Sequence, residues 1–91
     1  MKRLSEKDLQ ENVEKFNNKN IIFSLGGIAN VKIDMEMAKC KYNNRNGILK
    51  VKGTKADISI DTTSAYRMQI SENNSMLEIF LDNGIDIMLE K

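Results

Sequence analysis

Apolar and polar residues alternate along most of the chain after residue 30, and a period of two is typical of β-strands with one buried face. The alternation is clearest on either side of the Asp-Asn-Gly segment at residues 82–84. A three-residue turn with Gly84 in the left-handed conformation pairs Ile79 with Ile87 and gives the hairpin one aliphatic face. A two-residue Asn-Gly turn would divide the aliphatic residues between both faces. The pattern therefore predicts the three-residue turn.

Four earlier turns keep the same face apolar, and they lie at residues 72–75, 61–65, 54–55 and 44–47. The cross-strand pairs that these turns predict are Ile70 with Leu77, Met68 with Ile79, Tyr66 with Leu81, Ile60 with Tyr66, Ile58 with Met68, Val51 with Ile58, Leu49 with Ile60, Tyr42 with Leu49 and Cys40 with Val51. None of these segments has the apolar spacings of three and four that a helix requires. We therefore predict a six-strand antiparallel meander.

The N-terminal segment has a helical pattern instead. Leu9, Val13 and Phe16 recur at spacings of four and three, which forms one narrow apolar stripe. Ser5 is a suitable N-cap, and carboxylates in the turn that follows it favour the positive end of the helix dipole. These features predict a helix over residues 5–17.

Two strands are predicted between the helix and the meander. Residues 21–25 form a short buried strand, and Gly26-Gly27 ends it with a bend. Residues 28–42 form a long strand whose apolar positions change parity at Met37-Ala38, which is what a β-bulge produces. A long bent strand after a helix resembles SH3-like and Sm-like proteins, in which one strand serves two halves of a small barrel. The resemblance implies a fold and no function, because the Sm-like RNA-binding motifs are missing here.

These elements predict one domain of α+β or mainly β class, with an N-terminal helix and six to seven antiparallel strands in a curled sheet or small barrel. The predicted strands cover about residues 21–25, 28–42, 48–53, 56–61, 66–71, 76–81 and 85–90. One apolar face can be covered in three ways: by closure into a barrel capped by the helix, by curling of the sheet around the helix, or by pairing of two sheets across a dimer. We expect the barrel first and the dimer last.

The composition argues against several kinds of chemistry. The chain has no histidine and one cysteine, Cys40, so imidazole-based catalysis and a structural zinc site are not expected. We expect Cys40 to be a buried packing thiol, and we expect no enzymatic activity and no cofactor or metal. No apolar run reaches the roughly 18–20 residues of a membrane span. We therefore expect a cytoplasmic protein with no membrane partner.

A net charge of +1 conceals a strong polarity along the chain. Residues 1–56 carry twelve Lys or Arg and six Asp or Glu, whereas residues 57–91 carry two and seven. The predicted register places Lys41 opposite Lys50 and Lys39 opposite Lys52 on the outward face, which costs stability unless an anion compensates. The resulting candidate anion site is Lys39, Lys41, Arg45, Lys50, Lys52 and Lys55. The alternative is a solvated face that guards against edge-to-edge aggregation.

The C-terminal hairpin offers a second candidate surface. Its predicted outward face carries Met76, Phe80 and Met88 among carboxylates, and exposed Met and Phe together are typical of a surface that binds a partner. The alternative is that the helix or a neighbouring subunit covers this side of the sheet.

The sequence therefore leads to three hypotheses about function. The first is a small non-enzymatic interaction module that binds a protein partner or a second copy of itself. The second is binding of nucleic acid or another anion by the basic hairpin, residues 39–55. The third is an accessory protein of phage or mobile-element origin that acts on a host protein, which agrees with the small size of the chain.

Overall fold

A computed structural model describes residues 1–28 and 30–91. Residue 29, which falls within the predicted strand 28–42, lies outside the described residues. The elements in chain order are β1 (Lys2–Arg3), α1 (Glu6–Glu14), β2 (Lys19–Gly27), β3 (Val31–Asn43), β4 (Ile48–Lys52), β5 (Asp57–Asp61), β6 (Ala65–Ile70), β7 (Met76–Leu81) and β8 (Ile85–Glu90). The expected mixture of one short helix and mostly antiparallel sheet is confirmed.

The strands form one antiparallel sheet in the order β1-β6-β7-β8-β2-β3-β4-β5. This sheet is not closed, because β1 and β5 stand at its two ends, so the expected barrel closure is wrong. Within residues 1–28 and 30–91 the number of strands is eight rather than six or seven, since the pair Lys2–Arg3 adds a short strand beside β6. Two residues are too few to show an alternating pattern, which is why the sequence did not predict β1.

Four of the five predicted turns have the predicted register. Cys40 lies opposite Val51, Val51 opposite Ile58, and Ile79 opposite Ile87. Gly84 has a φ of 88°, and its N–H donates to the carbonyl oxygen of Leu81 at 3.3 Å. Asp82-Asn83-Gly84 is therefore the three-residue turn that the aliphatic pattern requires.

The predicted pairing of β5 with β6 is wrong, and with it the pairs Ile60–Tyr66 and Ile58–Met68. The connecting residues bond elsewhere: Thr62 donates from its N–H and its Oγ1 to the carbonyl oxygen of Gly47, each at 2.8 Å, and Ser64 O accepts from the N–H of Asp82 at 3.1 Å. The segment 62–64 therefore crosses from one half of the sheet to the other, and β5 pairs with β4 alone.

The predicted bulge in the long strand is confirmed at Met37, which has a φ of 47°. The pairing of β2 with β3 shifts by one residue there. The N-terminal half of β3 pairs with β2 and its C-terminal half pairs with β4, so β3 serves both halves of the curled sheet. Asparagine side chains hold the bulge, because Asn20 Oδ1 accepts from the N–H of Met37 at 3.0 Å and Asn17 Oδ1 accepts from the N–H of Cys40 at 3.1 Å.

A second bulge, in β6, was not predicted. Ala65 lies opposite Leu81 and Arg67 lies opposite Phe80, so Tyr66 is the extra residue and does not pair with Leu81 as predicted. Tyr66 is 63% exposed instead of facing the core. The sequence does carry the signal, since Ala65 and Tyr66 are adjacent apolar residues that break the alternation.

The helix packs on the inner face of the curled sheet. It is shorter than the predicted residues 5–17. The helix ends after Glu14, and the asparagines that follow lie against β3. Leu9, Val13 and Phe16 are fully buried in the same cluster as the inward residues of the strands. Ser5 is the N-cap, but its Oγ donates to Asp8 Oδ2 at 2.8 Å rather than accepting from the backbone.

Candidate functional site

The outer face of β6, β7 and β8 carries a patch of aromatic and methionine side chains, which we call the Phe80 surface: Tyr66, Met76, Phe80 and Met88. Met76, Phe80 and Met88 are partly buried and point away from the core, in the predicted direction. The bulge in β6 adds Tyr66, whose ring centroid lies 6.4 Å from that of Phe80. Because the helix covers the inner face, it does not cover this surface.

A groove of about 240 Å³ lies beside the Phe80 surface, over the central strand β2. Ser24 lies opposite Met88 and Gly26 lies opposite Asp86, so two small residues occupy the outward face where the neighbouring strands carry large ones. A Cβ placed on Gly26 would meet no atom within 4 Å. The depression therefore results from residue size in β2, and the alternation of apolar residues gave no signal for it.

Carboxylates surround the Phe80 surface. The hairpin of β7 and β8, residues 76–90, contains four acidic residues and no basic one. Glu78 and Asp86 line the groove, and Glu78 Oε1 accepts from Gln69 Nε2 at 3.2 Å. Two described cations share this face: Arg67 lies opposite Phe80 on β6, and Lys32 lies opposite Ser24 on β3 and lines the groove. The face therefore combines apolar side chains with charges of both signs, and its carboxylates lie next to Phe80 and Met88.

The basic hairpin has the predicted register on the outer face of the other half of the sheet. Lys41 lies opposite Lys50, Lys39 lies opposite Lys52, and all four side chains are exposed. Asp57 lies opposite Lys52 on the next strand, which places one carboxylate beside the Lys39–Lys52 pair. The Lys41–Lys50 pair has the neutral Ser59 as its next neighbour on β5, so no carboxylate on that strand offsets the two like charges.

The six predicted anion-site residues do not converge in one cleft. Lys39, Lys41, Lys50 and Lys52 share one face, whereas Arg45 and Lys55 lie in turns at opposite ends of β4. Lys39 Nζ donates to Asn18 Oδ1. The arrangement is an exposed ladder of ammonium groups. A pocket of about 90 Å³ lies beside its central pair and is lined by Lys41, Asn43, Asn46, Ile48 and Lys50. Because the ladder extends beyond this pocket, it suits an extended anionic surface.

Cys40 lies 3% exposed in the core, between the two surfaces. Burial raises the pKa of its thiol to about 11, and its Sγ donates to the carbonyl oxygen of Phe16 at 3.6 Å. A thiol that stays protonated at neutral pH is a poor nucleophile. Its contacts are those of a packing residue.

Asp61 is an ionised carboxylate at the corner between β5 and β6. Hydrogen bonds from the Oγ1 and N–H of Thr63, at 2.7 and 2.9 Å, lower the pKa of its side chain.

The part of the chain that the structure describes contains no group of three or more His, Cys, Asp or Glu residues that could hold a metal ion. Among the same residues, no helix has the length and apolar character needed to cross a membrane.

Comparisons with known proteins complete this description. A scan against protein-family models, a search of curated proteins and a search of solved structures find no significant match to the chain. The two surfaces described above are therefore interpreted from their own chemistry.

Proposed function

We propose that this chain is a non-enzymatic binding module that recognises a protein partner through the Phe80 surface. The observation that carries the proposal is the exposed Tyr66 ring beside Phe80, on a sheet face that the helix leaves open. Isolated exposed apolar residues are normal in soluble proteins, but aromatic and methionine side chains that adjoin a groove are typical of binding surfaces.

The chemistry of the surface suits a side chain of mixed character. Tyr66 and Phe80 supply rigid rings, and Met76 and Met88 adapt their shape to whatever docks there. The carboxylates around them favour a partner that presents basic or hydrogen-bonding groups next to apolar ones. A partner segment that fills the groove over Ser24 and Gly26 would contact Met88, which lines it.

Two substitutions test this proposal by opposite routes. Phe80→Asp removes the apolar centre, and Gly26→Leu fills the groove while leaving the patch intact. We expect each variant to lose the proteins, other than further copies of the chain itself, that the immobilised parent retains from an extract of the source cells, as measured by quantitative mass spectrometry.

The matched control is Ser59→Asp, which adds a charge at an exposed outward position on β5, away from the Phe80 surface. It should retain the same proteins as the parent, and circular dichroism should show that all three variants are folded. If Phe80→Asp and Gly26→Leu retain the same proteins as Ser59→Asp, the Phe80 surface is not a binding site.

Anion binding by the basic hairpin is a second candidate function, and the like-charged Lys41–Lys50 pair favours it. Nucleic-acid backbones compensate such charges through contacts that weaken steeply with salt. The scarcity of exposed aromatic rings on this face favours backbone contacts over base recognition.

Fluorescence anisotropy with short single- and double-stranded oligonucleotides tests this second candidate. Binding should be measurable at roughly 50 mM salt, fall about tenfold or more by 200 mM, and be lost in Lys41→Glu/Lys50→Glu. Lys2→Glu/Lys7→Glu changes the net charge equally at exposed positions elsewhere and should still bind. Equal binding by both variants would show that the hairpin is not the site.

A further inference from the structure

We infer that the Phe80 surface of one copy binds the basic hairpin of a second copy, so that the chain associates head to tail. This inference rests on the proposed function and names its partner. The two surfaces lie on the outer faces of different halves of the sheet, which β3 joins across the bulge at Met37. One molecule can therefore offer both surfaces at once.

Charge complementarity identifies the second copy as the partner. Residues 37–56 hold six basic residues and no acidic one, and residues 76–90 hold four acidic residues and no basic one. The net charge is only +1, so long-range repulsion between copies is weak. The Phe80 surface offers Glu78 and Asp86 to the lysines of the basic hairpin, and Arg67 and Lys32 lie on the same face as these carboxylates.

The side chains also match in shape and polarity. A lysine has a long apolar stem and a charged tip, so Lys41 and Lys50 can lay their stems on Phe80 and Met88 while their ammonium groups reach carboxylates. Glu78 and Asp86 line the groove together with Met88, so carboxylates and an apolar side chain lie next to one another there. The contact would also relieve the like-charge repulsion of the Lys41–Lys50 pair.

Pairing through the open sheet edge is a weaker alternative. Two β5 strands that paired antiparallel about Ser59 would place Asp57 of each copy opposite Asp61 of the other, and like charges directly across a strand pair are destabilising. The edge therefore disfavours a symmetric dimer, whereas a head-to-tail contact joins different surfaces and does not stop at two copies.

Sedimentation velocity of the parent and two charge-reversal variants tests the inference. The parent should form dimers and larger species at roughly 50 mM salt, and its association should weaken about tenfold or more at 500 mM. Lys41→Glu/Lys50→Glu and Glu78→Lys/Asp86→Lys should each be monomeric. Lys2→Glu/Lys7→Glu is the control and should associate like the parent.

Mixing the two monomeric variants gives the sharpest result. Each variant keeps one intact surface, and the two reversed surfaces again carry opposite charges, so an equimolar mixture should form the dimers and larger species that neither variant forms alone. A mixture that stays monomeric, or a parent that is monomeric at low salt, would overturn the inference.

The failure of this inference can be told apart from failure of the proposed function. If the parent does not self-associate but Phe80→Asp still loses proteins from the extract, the Phe80 surface binds a different protein. If Lys41→Glu/Lys50→Glu abolishes oligonucleotide binding but leaves self-association unchanged, the basic hairpin binds nucleic acid rather than a second copy, and the inference is overturned.

Discussion

Gly26 and Gly27 are adjacent in β2 but have different surroundings. Gly27 has a φ of 80°, and a Cβ there would overlap the carbonyl oxygen of Gly84, which also accepts from the N–H of Ile28 at 3.0 Å. A Cβ added to Gly26, by contrast, would lie in open space. The close approach of Gly27 to Gly84 therefore locks the end of β2 against the turn between β7 and β8.

Substituting alanine at each glycine in turn tests this contact. Gly27→Ala should lower the free energy of unfolding by about 2 kcal/mol or more, because it adds strain at positive φ and a backbone clash. Gly26→Ala should stay within about 0.5 kcal/mol of the parent. Urea denaturation followed by circular dichroism measures both, and equal values for the two variants would contradict the described contact.

The raised pKa of Cys40 predicts slow reaction with thiol reagents. A thiol with a pKa of about 11 rather than 9.0 has about 100-fold less thiolate at pH 8, so the native protein should react with a disulfide reagent at least that much more slowly than the protein in urea. The native rate should rise about tenfold per pH unit between pH 8 and 10, since the thiolate is the reactive form. A native rate equal to the rate in urea would show that Cys40 is accessible and ionised.

Turns and bulges were predictable where the signal is local. Each confirmed hairpin is short, and its register follows from which residues must share the apolar face, as with Val51 opposite Ile58. The bulge at Met37 was predictable from two adjacent apolar residues. The same signal is present at Ala65-Tyr66. The prediction nevertheless continued the register of the neighbouring hairpins without a bulge, and it therefore placed Tyr66 on the wrong face.

Pairings between distant segments were not predictable from the pattern. The ladder of β2 with β8 joins Phe23 to Leu89, and no local turn specifies it. The separation of β5 from β6 depends on the hydrogen bonds of Thr62 to Gly47, which alternation does not encode. The residues of both candidate surfaces could therefore be named from the sequence, whereas Tyr66 and the groove over Gly26 could not.

The like-charge pair in the basic hairpin predicts a substitution that stabilises the fold. Lys41→Glu converts the contact with Lys50 into one between opposite charges, and thermal or urea denaturation should show a gain of about 0.5 kcal/mol. Lys32→Glu is a control on the same strand, since Lys32 lies opposite the neutral Ser24 and should give no gain.

The gain from Lys41→Glu should shrink as salt rises, because exposed charges are screened. If Lys41→Glu destabilises the protein at low salt, the Lys41–Lys50 pair is not a repulsive contact, and the argument that an anionic surface relieves it fails.

Taken as one molecule, the chain combines a small core with two chemically opposite outer surfaces. A domain of this size has an expected stability of only about 5–10 kcal/mol, so even small unfavourable features on the surface count against it. An uncovered aromatic patch and an unrelieved pair of lysines are two such features. Their juxtaposition between copies would remove both penalties in one contact.

Nuclear magnetic resonance of the 15N-labelled parent on dilution at low salt tests that contact most directly. Head-to-tail association predicts that the amide shifts that change with concentration cluster in two places, the basic hairpin over residues 39–55 and the acidic hairpin over residues 76–90, and that high salt abolishes the changes. Shifts that change on only one of these hairpins, or along the free edge of β5, would contradict it.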